Sequence, residues 1–419
     1  MILFLKSPVH SSSLKMETSR ALRTAIRNLL LSVCFFYLSV SNITAQKAND
    51  WFCFHGSDRT NKSAETGLLK NWPGNGPDLL WTVSGLGDGY SSISVGGGLL
   101  FTAGKYNDQT YVFCYDLNGN PVWKKPNGKS WTTTLSWATS YTGSRSTPTY
   151  DNGILYHLSE SGRLTSFEAK TGKEIWTREL AKDFDAETPE YGYSESVLID
   201  GNNLYVKPAG KKGYQVCLDK NTGKTIWVNT EIPGTMGYNS MVTMEYGGYR
   251  QVVGASSNCF YAVDTRTGSL LWNVDFQNQR ELNLTDAICH NEYVFLTSGY
   301  GKGSRLVKLT PSEKGFVAET VWQSKLMDNH HGGVILHNGY LYGSGSNSKG
   351  WYCLDFLTGK QIWRTDGKGS LTYADGMLYM LDERGTMRLV NATPEKYEKT
   401  GEFKLPKVVE SMYWAHPVV

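Results

Sequence analysis

The chain has 419 residues, with 42 Lys and Arg against 39 Asp and Glu, and a formal net charge of +3 at pH 7. Its 44 Gly, 25 Tyr and only 19% charged residues favour many short strands and turns and exclude a helical solenoid. Residues 1–45 hold five of the basic residues and one acid, which leaves 37 basic and 38 acidic residues in the remainder. This near-neutral remainder lacks the basic footprint of a nucleic-acid-binding protein.

Residues 1–45 are predicted to be a signal peptide that is removed from the mature chain. Arg20, Arg23 and Arg27 precede the apolar run Leu29 to Val40, and small residues follow up to Ala45. We therefore expect an exported protein, periplasmic or extracellular, with no transmembrane span in its mature part. Two alternatives stay open. The run could be a membrane anchor, although it is shorter than the roughly 20 residues that span a bilayer, or Cys34 could be a lipoprotein site, although the bulky Val33 precedes it.

Residues 46–77 form a separate lead that is rich in aromatic residues, Gly and Pro. The stretch Trp51-Phe52-Cys53-Phe54-His55-Gly56 is typical of it. We predict that this segment wraps the following domain, residues 78–419, and does not fold alone.

A β-hairpin motif recurs along the domain, and the stretch from Val216 to Trp227 shows it most clearly. Apolar residues alternate before Asp219, turn-forming residues follow, and an Ile-Trp pair suits the return strand. Gly223 can adopt a positive φ, and Asp219 can hydrogen-bond the turn backbone. Each chain reversal is therefore encoded locally.

The tryptophan at the end of the hairpin recurs, with Phe403 at the last position, at intervals of 40 to 53 residues. The predicted structural blade tryptophans are Trp81, Trp123, Trp176, Trp227, Trp272, Trp322 and Trp363. These intervals match the roughly 40 to 50 residues of known propeller repeats. We expect each indole to pack neighbouring repeats together.

Each repeat reads as four antiparallel strands, so the predicted fold is all-β, a β-propeller of four-stranded antiparallel blades. The repeats predict seven complete blades plus a partial eighth that the two termini share. Its outer strand would end at Trp81, and its inner strand would be Ala415 to Val419. This count suggests a chain that is truncated relative to a complete eight-bladed relative.

Three cysteines, Cys114, Cys217 and Cys353, occupy one repeat position where other repeats have Ser or Ala. This pattern indicates a small buried strand residue and not a metal or redox site. A disulfide in an oxidising compartment stays open for three others, Cys53, Cys259 and Cys289.

The Asp-x-x-Thr-Gly-Lys-x-x-Trp pattern, with Leu-Tyr second strands, resembles the pyrroloquinoline-quinone (PQQ) type β-propeller repeat over about residues 78–419. Quinoprotein alcohol dehydrogenases and the propeller lipoprotein of the outer-membrane β-barrel assembly machinery share this repeat. The resemblance is specific for the fold, but the fold hosts enzymes and scaffolds alike.

The resemblance implies a cofactor only in the dehydrogenases. Those enzymes are expected to stack PQQ on a disulfide between adjacent cysteines and to hold calcium through Glu, Asn and Asp. This sequence has no adjacent cysteine pair, which weakens the case for PQQ with calcium. It also has no Cys-x-x-Cys-His haem motif, His-Glu-x-x-His motif or phosphate-binding loop.

Polar residues precede or begin the first strand of several repeats and should converge on one mouth of the central channel. The candidates for ligand binding are Arg145, Glu195, Asn239, Asp286, His330, His331 and His416, with Tyr90, Tyr193 and Tyr238 beside them. Such side chains could bind an anion or a metal or carry acid–base chemistry. Polar channel linings are equally normal in propellers without activity. Because His330 and His331 are adjacent, an extended backbone would point them apart, and they could not share one ion.

Three functions are compatible with these features. The first is an exported, non-catalytic propeller that binds a protein or carbohydrate partner or supports envelope assembly. The second is a quinoprotein dehydrogenase of alcohols or sugars. The third is a polysaccharide hydrolase or lyase that uses residues such as Asp286 and His331. No metal site and no catalytic residue is predicted from a complete motif.

Overall fold

The computed structural model describes residues 2–3, 50–136, 138–406 and 412–419, so nearly all of the predicted signal peptide lies outside the described residues. The described residues form an all-β structure with seven four-stranded antiparallel sheets, numbered here along the chain. The two helical turns are an α-helix at Leu180–Asp183 and a 3-10 helix at Thr139–Tyr141. Neither of these turns, nor any other helix in the described ranges, has the length and apolar character to span a bilayer.

In sheets 1 to 4 the strands follow one another in chain order. Sheet 1 contains Ser94–Gly96, Leu99–Tyr106, Gln109–Asp116 and Pro121–Lys129. Sheet 2 contains Thr149–Asp151, Ile154–Leu158, Arg163–Glu168 and Glu174–Glu179. Sheet 3 contains Leu198–Asp200, Asn203–Val206, Gln215–Asp219 and Thr225–Asn229. Sheet 4 contains Val242–Tyr246, Tyr249–Ala255, Cys259–Asp264 and Leu270–Asp275.

Sheets 5 to 7 have the same order, and sheet 7 gains a fifth strand. Sheet 5 contains Ile288–His290, Tyr293–Ser298, Gly303–Ser312 and Gly315–Ser324. Sheet 6 contains Val334–His337, Tyr340–Ser344, Gly350–Asp355 and Gln361–Asp366. Sheet 7 contains Gly369–Ala374, Met377–Asp382, Thr386–Asn391 and Lys399–Lys404, with Lys62–Ser63 added in parallel to its first strand.

The recurring hairpin forms as its turn chemistry predicts. Asp219 Oδ1 accepts the backbone N–H of Thr222 at 2.8 Å, and Gly223 has a φ of 68°. The register shifts after Cys217, because Trp227 pairs with Cys217 and Thr225 pairs with Leu218. The bulge leaves Ile226 unpaired and 51% exposed, whereas Trp227 is only 8% exposed. One extra residue per hairpin therefore turns the indole inward.

The blade tryptophans join consecutive sheets. The indole N–H of Trp176, on sheet 2, donates to the carbonyl oxygen of Lys220 in the hairpin turn of sheet 3 at 2.9 Å. A Cβ atom on Gly223, in the same turn, would lie 2.8 Å from the Trp176 ring, so only glycine permits this contact. Trp81, Trp123, Trp227, Trp322 and Trp363 donate to turn carbonyls in the same way. Trp272 is the exception, because it donates to the Gln251 side chain within its own sheet.

A shared hydrophobic core also lies between each pair of consecutive sheets from sheet 1 to sheet 7. Phe101 and Leu155 pack together between sheets 1 and 2, for example, and Phe295 packs with Leu341 between sheets 5 and 6. The sheets therefore stack face to face in chain order.

Residues 51–63, called here the inner segment, show that the stack is radial. The backbone carbonyls of Trp51 and Phe52 accept N–H groups from the first strands of sheets 1 and 2. The Arg59 guanidinium donates to backbone carbonyls next to the first strands of sheets 3 and 4, and Lys62–Ser63 pairs with that of sheet 7. Because one short segment contacts five first strands, those strands must converge on it. This arrangement is typical of a β-propeller.

The termini meet between sheets 7 and 1. Trp81 contacts the sheet 1 turn, and Val418 packs on sheet 1, whereas Val419 packs on sheet 7. Thr82–Val83 pairs with Ile2–Leu3.

The expectation of a strand over residues 415–419 was wrong, since these residues form none. Pro417 has no N–H to donate, and its carbonyl oxygen accepts the hydroxyl of Thr372 at 2.6 Å. The carbonyl oxygen of His416 accepts the hydroxyl of Ser92 at 2.9 Å. Side chains thus bind this backbone in place of a strand partner.

The six cysteines of the described part are free thiols. Cys114, Cys217 and Cys353 are fully buried on third strands, in agreement with a packing role. The possible disulfide among the remaining three is not formed: Cys53, Cys259 and Cys289.

Candidate binding site at the mouth of the sheets

In every sheet the first strand begins at the same end of the molecule, called here the mouth face. The predicted site residues lie at this face because each precedes or begins a first strand. They divide into a buried axial group and a partly exposed aromatic group.

Glu195 and Asn239 share a fully buried lysine, Lys207, which directly follows the second strand of sheet 3. The Lys207 ammonium donates to the backbone oxygen and to Oδ1 of Asn239, both at 2.7 Å, and lies 3.9 Å from Glu195 Oε2. Burial raises the pKa of Glu195 and lowers the pKa of Lys207, and the charge of each residue opposes the shift of the other. Both oxygens of Asn239 therefore accept from an internal cation, while Glu195 lies beside that cation and its Oε1 accepts the backbone N–H of Lys207 at 2.6 Å.

Asp286 and His416 are joined through His55 of the inner segment. Asp286 Oδ2 lies 3.2 Å from His55 Nδ1, and His55 Nε2 lies 3.0 Å from His416 Nδ1. Asp286 Oδ1 accepts the backbone N–H of Ser240 at 2.7 Å. This chain of contacts fastens the inner segment and the C-terminal residues to sheets 4 and 5.

The hydrogen bonds of this chain fix the tautomer of His416. His416 Nε2 lies 2.7 Å from the carbonyl oxygen of His331, which can only accept, so Nε2 carries a hydrogen. Burial lowers the pKa of His416 to about 3, so near pH 7 the ring is neutral and its Nδ1 accepts. His55 Nε2 must therefore donate, while its Nδ1 faces Asp286.

His330 and His331 meet each other, so the expectation that they point apart was wrong. The backbone bends at residues 330–332, and the two Nδ1 atoms lie 2.9 Å apart. His330 Nε2 lies 2.8 Å from the Tyr300 hydroxyl, and His331 Nε2 lies 3.6 Å from Glu383 Oε1. Burial lowers the pKa of both histidines, to about 3 for His330. Both rings are therefore neutral near pH 7.

Arg145 stands apart from the axial group. Its guanidinium donates to the carbonyl oxygens of Tyr191 at 3.0 Å and Tyr141 at 2.6 Å, and its Cζ lies 5.3 Å from the centre of the Trp131 ring. Burial lowers its pKa, and the charge of Glu160 opposes this shift. Arg145 thus holds two loops of the mouth face together.

Around Arg145 lies a group of aromatic rings, called here the aromatic rim, which is mostly half-buried. It comprises Tyr90, Trp131, Tyr141, Tyr191, Tyr238, Tyr300 and Trp414. The rings of Tyr141 and Trp414 are stacked at 5.4 Å, and the Tyr90 ring lies 4.9 Å from that of Trp414. Large amphipathic rings of this kind are enriched at protein interfaces. Of the tyrosines predicted beside the site, Tyr193 alone is fully buried, and its hydroxyl donates to the Pro208 carbonyl at 3.0 Å.

The functional residues that sequence reasoning missed are His55, Arg59 and Lys207. Lys207 directly follows the apolar run 204–206, and this position indicates a buried charge. The partners of His55 and Arg59 could not be found in this way, because they lie far away along the chain and no spacing rule connects them. Within the described residues, no three His, Cys, Asp or Glu side chains are placed to share a metal ion.

Comparison with known proteins gives one family match. Residues 108–315 and 314–394 match the PQQ_2 family model, described as outer membrane protein assembly factor BamB. The tetrathionate hydrolase of Acidithiobacillus ferrooxidans is 23% identical over 286 residues, which are 63% of this chain and 46% of the relative. The chain therefore spans about half the length of that relative.

Two solved structures have a similar fold. BamB from Moraxella catarrhalis gives a TM-score of 0.54 at 17% identity, covering 75% of this chain and 87% of that chain. The quinohemoprotein alcohol dehydrogenase from Comamonas testosteroni gives a TM-score of 0.57 at 13% identity, covering 88% of this chain and 74% of that chain. At these identities the similarity shows a shared β-propeller fold and not a shared function.

Proposed function

Because the chain belongs to the PQQ_2 family, described as outer membrane protein assembly factor BamB, we propose that it is an exported, non-catalytic propeller that binds a protein partner in the cell envelope. Seven blades and a partial eighth, built from residues near Trp81 and His416, complete the proposed architecture. A carbohydrate partner stays a prediction.

The observation that carries this proposal is that the buried acids Glu195 and Asp286 lie against cationic or imidazole side chains of the protein itself. The Lys207 ammonium donates to Asn239 and lies beside Glu195, and Asp286 lies beside the His55 ring. These side chains are at most 7% exposed, so they face no open cavity, and Asp286 holds the inner segment through His55. Groups used in this way support a structural role over acid–base chemistry.

The alternative function, a PQQ-dependent dehydrogenase, meets a specific obstacle. A calcium ion needs several oxygen ligands at about 2.3 to 2.6 Å, but the Lys207 ammonium already lies 2.7 Å from Asn239 Oδ1. The residues present do not fit calcium and PQQ between Glu195 and Asn239, and no reaction step is assigned to them.

The aromatic rim is the surface that we assign to the partner, since its half-buried rings offer apolar area and hydroxyl groups together. A photo-reactive amino acid at Tyr141, in the native host, should give one discrete protein adduct. The same amino acid at Asn221, exposed in a hairpin turn on the opposite face, should give none.

The purified protein should also neither bind PQQ in an absorbance titration nor reduce an electron-acceptor dye with alcohols or sugars, with or without calcium. Calcium-dependent dye reduction after PQQ addition would overturn the non-catalytic proposal. An adduct from Asn221 and none from Tyr141 would overturn the assignment of the binding face.

A further inference from the structure

A second feature of the mouth face lies at its outer edge, between sheets 4 and 5. A cavity of about 280 Å³ is lined by Phe276 and by three cationic side chains, Lys302, Arg305 and Lys325. Phe276 directly follows the last strand of sheet 4, Lys302 lies between the second and third strands of sheet 5, and Lys325 follows its last strand. Strand connections at one end of two sheets therefore bring the three charges together.

None of the three cations forms an ion pair with a carboxylate in the described part of the chain. By contrast, Arg250, at the opposite end of the sheets, contacts Asp200 and Glu245. Arg305 and Lys325 both repel the Lys302 ammonium, and this repulsion, after burial, lowers the pKa of Lys302. The charge of Asp275 opposes this shift, but three positive charges around one cavity still attract an anion.

The hydrogen-bond donors of the cavity are also incompletely used. Arg305 donates its two Nη groups to the Asp275 carbonyl at 3.3 Å and to Gln323 Oε1 at 3.5 Å, while its Nε is buried and has no acceptor among the described residues. Lys325 Nζ donates to the Gly301 carbonyl at 3.1 Å. Lys302 Nζ and Arg305 Cζ lie 5.0 and 5.3 Å from the centre of the Phe276 ring. The Phe276 ring thus makes cation–π contacts with both Lys302 and Arg305.

We propose that this cavity binds a multiply charged tetrahedral oxyanion, a phosphoryl or sulfate group. Arg305 offers a planar set of donors, and the two lysines add point charges that can follow a tetrahedral ligand. Three positive charges match a dianion better than a single carboxylate. The ligand could be free phosphate or the phosphoryl group of a lipid headgroup, and the chemistry of recognition is the same for both.

The test is a calorimetric titration of the purified protein with inorganic phosphate at low ionic strength. Lys302→Gln and Lys325→Gln should each weaken binding about tenfold, since each removes a charge-assisted hydrogen bond. The matched control is Lys211→Gln with Lys212→Gln, which removes two exposed lysines from the same face. Co-sedimentation with phosphatidylglycerol and with phosphatidylcholine vesicles, using the same variants, separates the two sources of phosphoryl groups.

Phosphate binding that the two cavity variants weaken and the control retains supports the proposal with a free anion as ligand. Binding confined to phosphatidylglycerol vesicles, with the same pattern among variants, supports it with a lipid headgroup as ligand. Equal binding by all variants, equal losses in the control, or no binding to phosphate or vesicles overturns it.

Discussion

Lys207→Met is expected to lower the free energy of unfolding by about 3 to 5 kcal/mol. The substitution keeps the length of the side chain but removes the cation that lies between Glu195 and Asn239. Glu195 would then be a fully buried carboxyl group without its principal counter-charge. Urea denaturation at pH 7 measures the effect. Lys170→Met, at an exposed lysine of a hairpin turn, should change stability by at most about 0.5 kcal/mol.

A double variant separates the lost charge from lost packing. Glu195→Gln with Lys207→Met should be more stable than Lys207→Met alone, because the double variant removes both charges of the pair. If Lys207→Met costs less than about 1 kcal/mol, or the double variant only adds to the loss, Lys207 is not the counter-ion of Glu195.

Acid should destabilise the protein between about pH 6.5 and pH 4.5. The pKa values of His157, His330 and His416 are lowered by burial from 6.5 to about 3, and that of His331 falls well below its usual value. The unfolded chain therefore binds more protons than the folded chain below pH 6.5. Stability is complete above that pH and falls by about 1.4 kcal/mol per pH unit for each such histidine. Most carboxylates stay ionised in this window, so the histidines determine the slope.

His157 provides the control for this acid effect, because it lies apart from the connected residues Asp286, His55 and His416. Its Nδ1 is 2.8 Å from Asn127 Nδ2, a donor, so the ring is held as a neutral acceptor. His157→Gln should reduce the slope of unfolding free energy against pH by about 1.4 kcal/mol per pH unit. A slope that is unchanged in this variant, or a stability that is flat from pH 6.5 to 4.5, would contradict the burial of neutral histidines.

The repeated hairpins could be predicted from the sequence because the residues that specify each hairpin lie close together in the chain. Asp219, Gly223 and Trp227 specify a turn, a positive φ and a packing contact within nine residues, and the same pattern recurs in other repeats. The C-terminal residues were harder to predict, since Pro417 and neighbouring side chains replace strand pairing there.

The candidate site was only partly predictable. The sequence pattern singles out Glu195, Asn239 and Asp286 because each precedes the first strand of a repeat, but their partners come from elsewhere in the chain. His55 lies 231 residues before Asp286, and no periodic pattern connects them. The bend that brings His330 to His331 likewise depends on tertiary contacts, including that of His330 with Tyr300.

If the axial polar residues anchor the inner segment, His55 and Asp286 must be energetically coupled. A double-mutant cycle measures this coupling. His55→Gln and Asp286→Asn, alone and together, would be compared by urea denaturation at pH 7. We expect a coupling energy of at least about 1 kcal/mol between the two positions. Effects that add within about 0.3 kcal/mol would contradict it, since His55 and Asp286 would then not act as a pair.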